Sequence, residues 1–404
     1  MVVAPPAATT PAPPGGWPVP ASLYVHVPFC RHRCGYCNFS VIAGRDDLQE
    51  VMVDALIAEL RQIAPTTQRP LETVFLGGGT PTQLSRQDQR RLVGAIRDHF
   101  PIRPDAEISV EANPEDIDDE QLHGLADLGI NRVSLGVQSF NARKLQQLER
   151  SHSGDQALAA IEASDAVIGN VSIDLIFGAP GETVEDWEED LRQAVRAPVR
   201  HLSAYALTFE KGTVFWNRLR RGEFSGDLCT VDEDAELAMD DAADRYLPAA
   251  GLQRYEISNF ARPGGRCRHN TAYWAGDGWY AVGPGAARFV SGRREVNHRS
   301  PTTYLHRIRQ SGRATAESEA ISLDQYAREK AAFGIRQIAG VDLAAVASAT
   351  NIDLADELAE TWENMGTAGL IARTDDHVKL TKRGLLFADT VASRILSDAS
   401  VKSR

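Results

Sequence analysis

Six short runs rich in β-branched or aromatic residues, most of them leading into a stretch with helical spacing, constrain this chain more than any other feature. The runs are Ser22–Pro28, Glu72–Gly78, Ala106–Ala112, Arg132–Gln138, Val171–Gly178 and Arg200–Leu207. Most end in Gly, Pro or a polar residue, which marks strands. Between them, Asp46–Ile63, Ser85–Phe100, Asp118–Leu128 and Val184–Arg196 read as helices, the last capped by Thr183 with Asp186 at the capping-box position. Repeated strand-then-helix units predict an α/β fold, a parallel sheet with crossovers curved into a partial (β/α) barrel. In such a sheet chemistry gathers at the C-terminal strand ends. There the chain places three cysteines after the first strand, a GGGTP segment after the second, Glu111 after the third and Gln138 after the fourth.

The flanking segments are read by composition. Residues 1–20 are Pro/Ala/Gly-rich, without charge and without a signal-peptide core, and are expected to be a disordered leader. The barrel is expected over 21–250, a Gly-rich segment over 251–310, a polar linker over 311–322 and a helical module over 323–404. In that module a hairpin turning at Asp375–Asp376 gives a winged-helix-like pattern. Its acidic helices, with Asp353, Asp356, Glu357 and Glu360, argue for packing rather than DNA contact. Eight acidic residues and no basic one between Asp227 and Asp244 read as a solvated helix face. No stretch approaches the ~20 apolar residues of a membrane span. Net charge −12 and a pI near 5.4 exclude a general nucleic-acid binder. Five cysteines, three of them within eight residues, predict a cytoplasmic protein whose thiols do chemistry.

Cys30, Cys34 and Cys37 form CxxxCxxC on a loop. Three such thiolates can hold three irons of a [4Fe–4S] cubane and leave the fourth open. A zinc site completed by His32 or a distant cysteine is the second reading. Buried structural thiols are the third, disfavoured by Arg31, His32 and Arg33 on the same loop.

CxxxCxxC with an aromatic at Tyr36, after a strand and before a β/α barrel, resembles the radical SAM superfamily. The further motifs YVHVPFC, GGGTPT, EANP, SLGVQSFN, DLIFGAPGET and SAYALTFEKGT resemble the oxygen-independent coproporphyrinogen III oxidase family over Ser22 to Val290, and more weakly through the C-terminal module. The resemblance implies S-adenosylmethionine on the open iron. It implies contacts to that cofactor from Tyr24, Gly78, Gly79, Thr80, Glu111, Gln138, Arg150, Asp174 and Ala206. Where the oxidase carries a fourth cysteine this chain has Phe39, which resembles the haem chaperone branch, the HemW-type proteins. So does His269-Asn270-Thr271-Ala272-Tyr273-Trp274, an HNxxYW motif associated there with haem. His269 offers an imidazole to iron, and Tyr273 and Trp274 offer flat surfaces. Arg262, Arg266 and Arg268 are placed to meet propionates. The plain alternative is a buried, hydrogen-bonded histidine among core aromatics.

One segment departs from the pattern. Relatives often read GxGAH where this chain has Gly283-Pro284-Gly285-Ala286-Ala287, so a histidine is missing at Ala287. Cys267 reads as a buried thiol, and Cys229 has no evident partner. The resemblance implies a haem chaperone without oxidase activity, serving haem-accepting proteins, those of the respiratory chain among them, with a peripheral membrane contact left open. The competing expectations are a radical enzyme decarboxylating coproporphyrinogen III and a zinc-stabilised binding protein.

Overall fold

A computed structural model describes residues 11–64, 69–226 and 229–397. Six strands pair in parallel in chain order: β1 (Ser22–Val27), β2 (Leu71–Gly78), β3 (Ile102–Ala112), β4 (Arg132–Gln138), β5 (Val171–Phe177) and β6 (His201–Ala206). Tyr280–Val282 adds in parallel outside β1, while Asn259–Ala261 pairs antiparallel with β6. The sheet edges do not meet, so the barrel is partial.

Helix ends fall close to where the caps predict. Ser85 accepts the Asp88 N–H at 3.1 Å and Asp118 that of Gln121 at 2.6 Å. Thr183 and Asp186 exchange both capping-box bonds at 3.1 Å. Each cap satisfies an orphan donor of the first turn. The acidic stretch forms the helix Glu233–Ala249, which buries Met239, Ala242, Ala243 and Leu247. Asp240 and Asp244 on it hold Arg254 at 2.7 Å each.

Strand alternation sorts the side chains into two sets. Val25, Val74, Val110, Leu135 and Leu175 face outward into the main apolar core beneath the helices. Their neighbours Tyr24, Phe75, Glu111, Ser134 and Asp174 turn inward and line a cavity of about 680 Å³. Barrel interiors are normally filled by bulky apolar layers. Here the inner face is largely polar, and the lumen stays open.

Two expectations need correction. Of the leader, residues 1–10 lie outside the described residues, but 11–20 are placed. Trp17 packs edge-on against Phe289, with ring centroids 5.9 Å apart, and lies 5.2 Å from Tyr326. A single large ring anchors a segment whose composition looks featureless. The linker over 311–322 contains a strand, Thr315–Ala320, antiparallel to Arg293–Asn297. Its side chains mostly face water, so it lacks the apolar alternation by which strands are read.

The C-terminal helices pack around a separate core that includes Ile335, Trp362, Val378 and Ile395. The hairpin forms as expected between Ile371–Thr374 and His377–Leu380. This module meets the barrel through Lys382–Asp241 at 2.6 Å and through Arg336, whose guanidinium lies 4.8 Å from the Trp274 ring centroid.

A buried carboxylate joins the first helix, Gln49–Ile63, to the segment beyond Tyr280–Val282. Glu59, 1% exposed, accepts from Gly283 N, Arg288 Nη1, Asn297 Nδ2 and Tyr304 Oη at 2.7–3.0 Å. Removing one partner strands a buried charge. Glu59→Ala is therefore expected to cost about 3–5 kcal/mol, read as a lower urea midpoint at unchanged slope. A loss below about 1 kcal/mol, the level of a surface pair, would show that the network carries no load.

Candidate functional site

The cysteine loop starts at the C-terminal end of β1, where Phe29–Cys30 pairs with Ile42–Ala43. Cys30, Cys34 and Cys37 are half-buried and surround, with Gly78, Gly79, Thr80, Gln138 and Arg150, a cavity of about 160 Å³. Among the described residues, no three His, Cys, Asp or Glu side chains form a group that could hold a single metal ion. A mononuclear zinc needs its donors around one centre, whereas a cubane holds each thiolate on a separate iron.

A polar chain runs from one cysteine to another. Thr80 Oγ1 lies 3.7 Å from Cys30 Sγ and accepts from Asn113 Nδ2 at 2.9 Å. Arg150 donates to Asn113 Oδ1 and to the Gly136 carbonyl, and its Nη1 reaches Cys34 Sγ at 3.6 Å. Glu149 pins the loop by accepting the Gly35 N–H at 2.7 Å. Both Glu149 (φ 56°) and Gln138 (φ 66°) adopt left-handed backbone, a strained conformation for non-glycine residues that often marks functional sites. Burial, with the neighbouring cysteines adding to it, pushes the Cys30 thiol up to about 12, and burial also raises Cys37. Cationic iron would supply the charge that ionises them.

The glycines have a packing reason of their own. A Cβ on Gly78 (φ 102°) would meet the His26 ring at 2.3 Å, and one on Gly79 the Phe29 carbonyl at 2.5 Å. Glu111 accepts the Gly78 N–H at 2.8 Å. Burial, reinforced by Asp174, raises its carboxyl to about 7. Glu111, Asp174, Ser134 and Phe39 line both the cysteine cavity and the lumen, so the two adjoin. Phe39 stands 63% exposed at that junction. Tyr36 lines the cysteine cavity and packs edge-on against Phe215. Tyr24 instead faces the lumen, where its hydroxyl meets His26 Nδ1 at 3.0 Å. Ala206 is not brought in: it lines a separate groove with Asp240 and Arg254.

The HNxxYW motif forms the helix Arg268–Trp274. Glu107 receives its first N–H groups, from Arg268 at 3.1 Å and His269 at 3.2 Å. His269 Nδ1 lies 2.8 Å from Thr73 Oγ1, near the N-terminal end of β2. The motif therefore floors the lumen at the end away from the cysteines. Tyr273 and Trp274 line the lumen with it. His269 is 1% exposed, and Tyr273 Oη occupies its Nε2 at 2.8 Å. Burial, with the positive charge of Arg132, lowers its pKa to about 3, so the ring is neutral. Both ring nitrogens are thereby engaged, Nδ1 by Thr73 and Nε2 by Tyr273.

The three arginines placed by sequence near propionates point elsewhere. Arg262 donates to the Val199 and Ala250 carbonyls, Arg266 lies over Tyr255, and Arg268 bonds the Asp105 carbonyl. The arginines lining the lumen are Arg132 and Arg299. Ala287 lines it as well, so the histidine of the relatives' pattern would have faced this cavity. Cys267 is buried 3.7 Å from Glu107, and Cys229 is exposed. Sequence reasoning missed Asn113, Glu149 and Arg132 as site residues. Polar residues at alternate strand positions were the available signal for Arg132.

Residues 24–194 match the Radical SAM superfamily, and residues 321–387 match the HemN C-terminal domain. The chain is 39% identical to heme chaperone HemW of Mycobacterium tuberculosis, covering 93% of this chain and 95% of that protein. It is 32% identical to heme chaperone HemW of Bacillus subtilis, covering 93% and 99%. The solved coproporphyrinogen III oxidase (HemN) from Escherichia coli, a radical SAM enzyme, superposes with a TM-score of 0.82 at 24% identity, covering 94% of this chain and 91% of that one. That likeness carries the fold.

The raised Glu111 carboxyl has a consequence for stability. The folded state holds its proton up to about pH 7, while the unfolded chain releases it near its ordinary 4.5. Folding stability from this group therefore falls as pH rises between those values. In metal-free protein, Glu111→Gln should gain thermal stability relative to wild type on going from about pH 5 to about pH 8. A difference between the two proteins that stays constant with pH would refute the assignment.

Proposed function

This chain belongs to the heme chaperone HemW family, and on that premise we propose that it binds haem in the barrel lumen and passes it to haem-requiring proteins. The observation that carries the reading is the lumen itself. A cavity of about 680 Å³, walled by Tyr24, Phe75, Tyr273, Trp274, Trp279 and Phe333, adjoins the three-cysteine site. That volume lies within the ~300–1,000 Å³ of small-molecule pockets, and flat rings suit a macrocycle. Haem here is cargo.

Cys30, Cys34 and Cys37 would hold a [4Fe–4S] cluster, with S-adenosylmethionine completing the fourth iron. When bound, that group supplies one-electron chemistry. The chain's own residues prepare the place for it. Arg150 sets positive charge 3.6 Å from Cys34 Sγ. Gly78 and Gly79 keep side chains away from the end of β2. Glu111, Gln138 and Asp174 present acceptors suited to an amine and to ribose hydroxyls.

Phe39, standing where the oxidase pattern carries a fourth cysteine, supports the chaperone reading over the oxidase alternative. The same lumen would accept a porphyrinogen, so turnover is the discriminating assay. Among the described residues no helix is long and apolar enough to cross a membrane. A cytoplasmic protein meeting respiratory acceptors at the membrane surface accords with this reading.

Anaerobically reconstituted protein should carry about four irons per chain and absorb broadly at roughly 400 nm. Stoichiometric zinc without iron would overturn the cluster assignment. Haem titration should perturb the Soret band, with affinity falling roughly ten-fold in His269→Ala, about 1.4 kcal/mol. Incubation with coproporphyrinogen III, reductant and S-adenosylmethionine should yield no protoporphyrinogen IX; catalytic formation would make the protein an oxidase.

A further inference from the structure

Of the two arginines lining the lumen, Arg299 donates to Asn38, and Arg132 is the cation neither the cofactor site nor the histidine floor takes up. Arg132 opens β4 on its inner face, in register with Ser109 on β3. It is 2% exposed, and its Nε has no hydrogen-bond partner. Ser109 Oγ beside it is likewise buried without a partner. Orphaned buried donors are rare, because each forfeits its hydration without replacement.

The neighbouring carboxylates do not use this guanidinium up. Glu107 is engaged by the backbone N–H groups of Arg268 and His269 and by the Cys267 thiol. Asp174 is hydrogen-bonded by Ser203 and Ser134. Both reach Arg132 as charges through space. Arg132 lines the cavity while its Nε keeps an unused donor, and a guanidinium fork matches a carboxylate bidentately.

We propose that Arg132 is the receptor for a carboxylate of the lumen's ligand, so that the cavity selects a flat macrocycle bearing free acid groups over its neutral ester. The proposal rests on the haem reading above and deepens it: one propionate points down onto β4 while the ring lies between the aromatic walls. It places the anion subsite on a barrel strand, away from the arginines that precede the HNxxYW helix.

The test titrates the full-length protein with haem and with haem dimethyl ester, for wild type, Arg132→Gln and Arg132→Lys. Wild type is expected to prefer haem by roughly ten- to hundred-fold, the scale of a charged hydrogen-bonded contact. In Arg132→Gln that preference should collapse to within about threefold, with ester affinity unchanged, and Arg132→Lys should recover part of it. Equal wild-type affinity for acid and ester overturns the proposal even if the variants fail to fold. An undiminished preference in folded Arg132→Gln overturns it too, while the haem reading stands in both cases. Failure of wild type to take up haem at all overturns the haem reading, and this proposal with it.

Discussion

Period-two alternation of the six parallel strands is the constraint on which the rest of this molecule depends. The outward residues, such as Val25, Val74, Val133, Leu135 and Leu175, are buried under helices. Each contributes about 1.5–3 kcal/mol relative to exposure. The inward set includes Arg132, Asp174 and Glu111. A one-residue slip in register would exchange the sets and drive those charges into the apolar core. The hydrophobic effect that folds the barrel thus also turns its ionisable and aromatic side chains toward an open lumen. Cavity, cofactor site and histidine floor all follow from that sorting.

The two ends of the lumen divide the work. At the C-terminal strand ends, a polar path runs from Cys30 through Thr80, Asn113 and Arg150 to Cys34 and ties the cysteine loop to the barrel. At the other end, His269 rests between Thr73 and Tyr273. A buried neutral imidazole with its nitrogens engaged is a stable resting arrangement.

Much of this was legible in the sequence, for physical reasons. The strands and helix caps were readable because burial and orphan donors impose local patterns, as at Ser85, Asp118 and Thr183. The cysteines and the glycine segment were readable because their spacing is rare without chemistry. Trp17 and the strand Thr315–Ala320 were not, because each depends on a partner distant in sequence and shows no period of its own. Arg262, Arg266 and Arg268 lie near the HNxxYW motif along the chain but not near the lumen in space. Arg262 and Arg268 turn to backbone carbonyls of neighbouring segments, and Arg266 to the Tyr255 ring. Ala206 shows the same lesson in miniature: its neighbour Tyr205 lines the lumen and it does not, a parity that alternation along β6 would have supplied.

On the proposed reading haem lies inside the barrel, beside the three cysteines and above the HNxxYW helix. Anomalous iron scattering from crystals of cluster-reconstituted, haem-loaded protein tests it most directly. Two iron sites are predicted: one at Cys30, Cys34 and Cys37, and a second within the lumen between Tyr24 and Tyr273. A second site on the outer surface, with the lumen empty, would contradict the account.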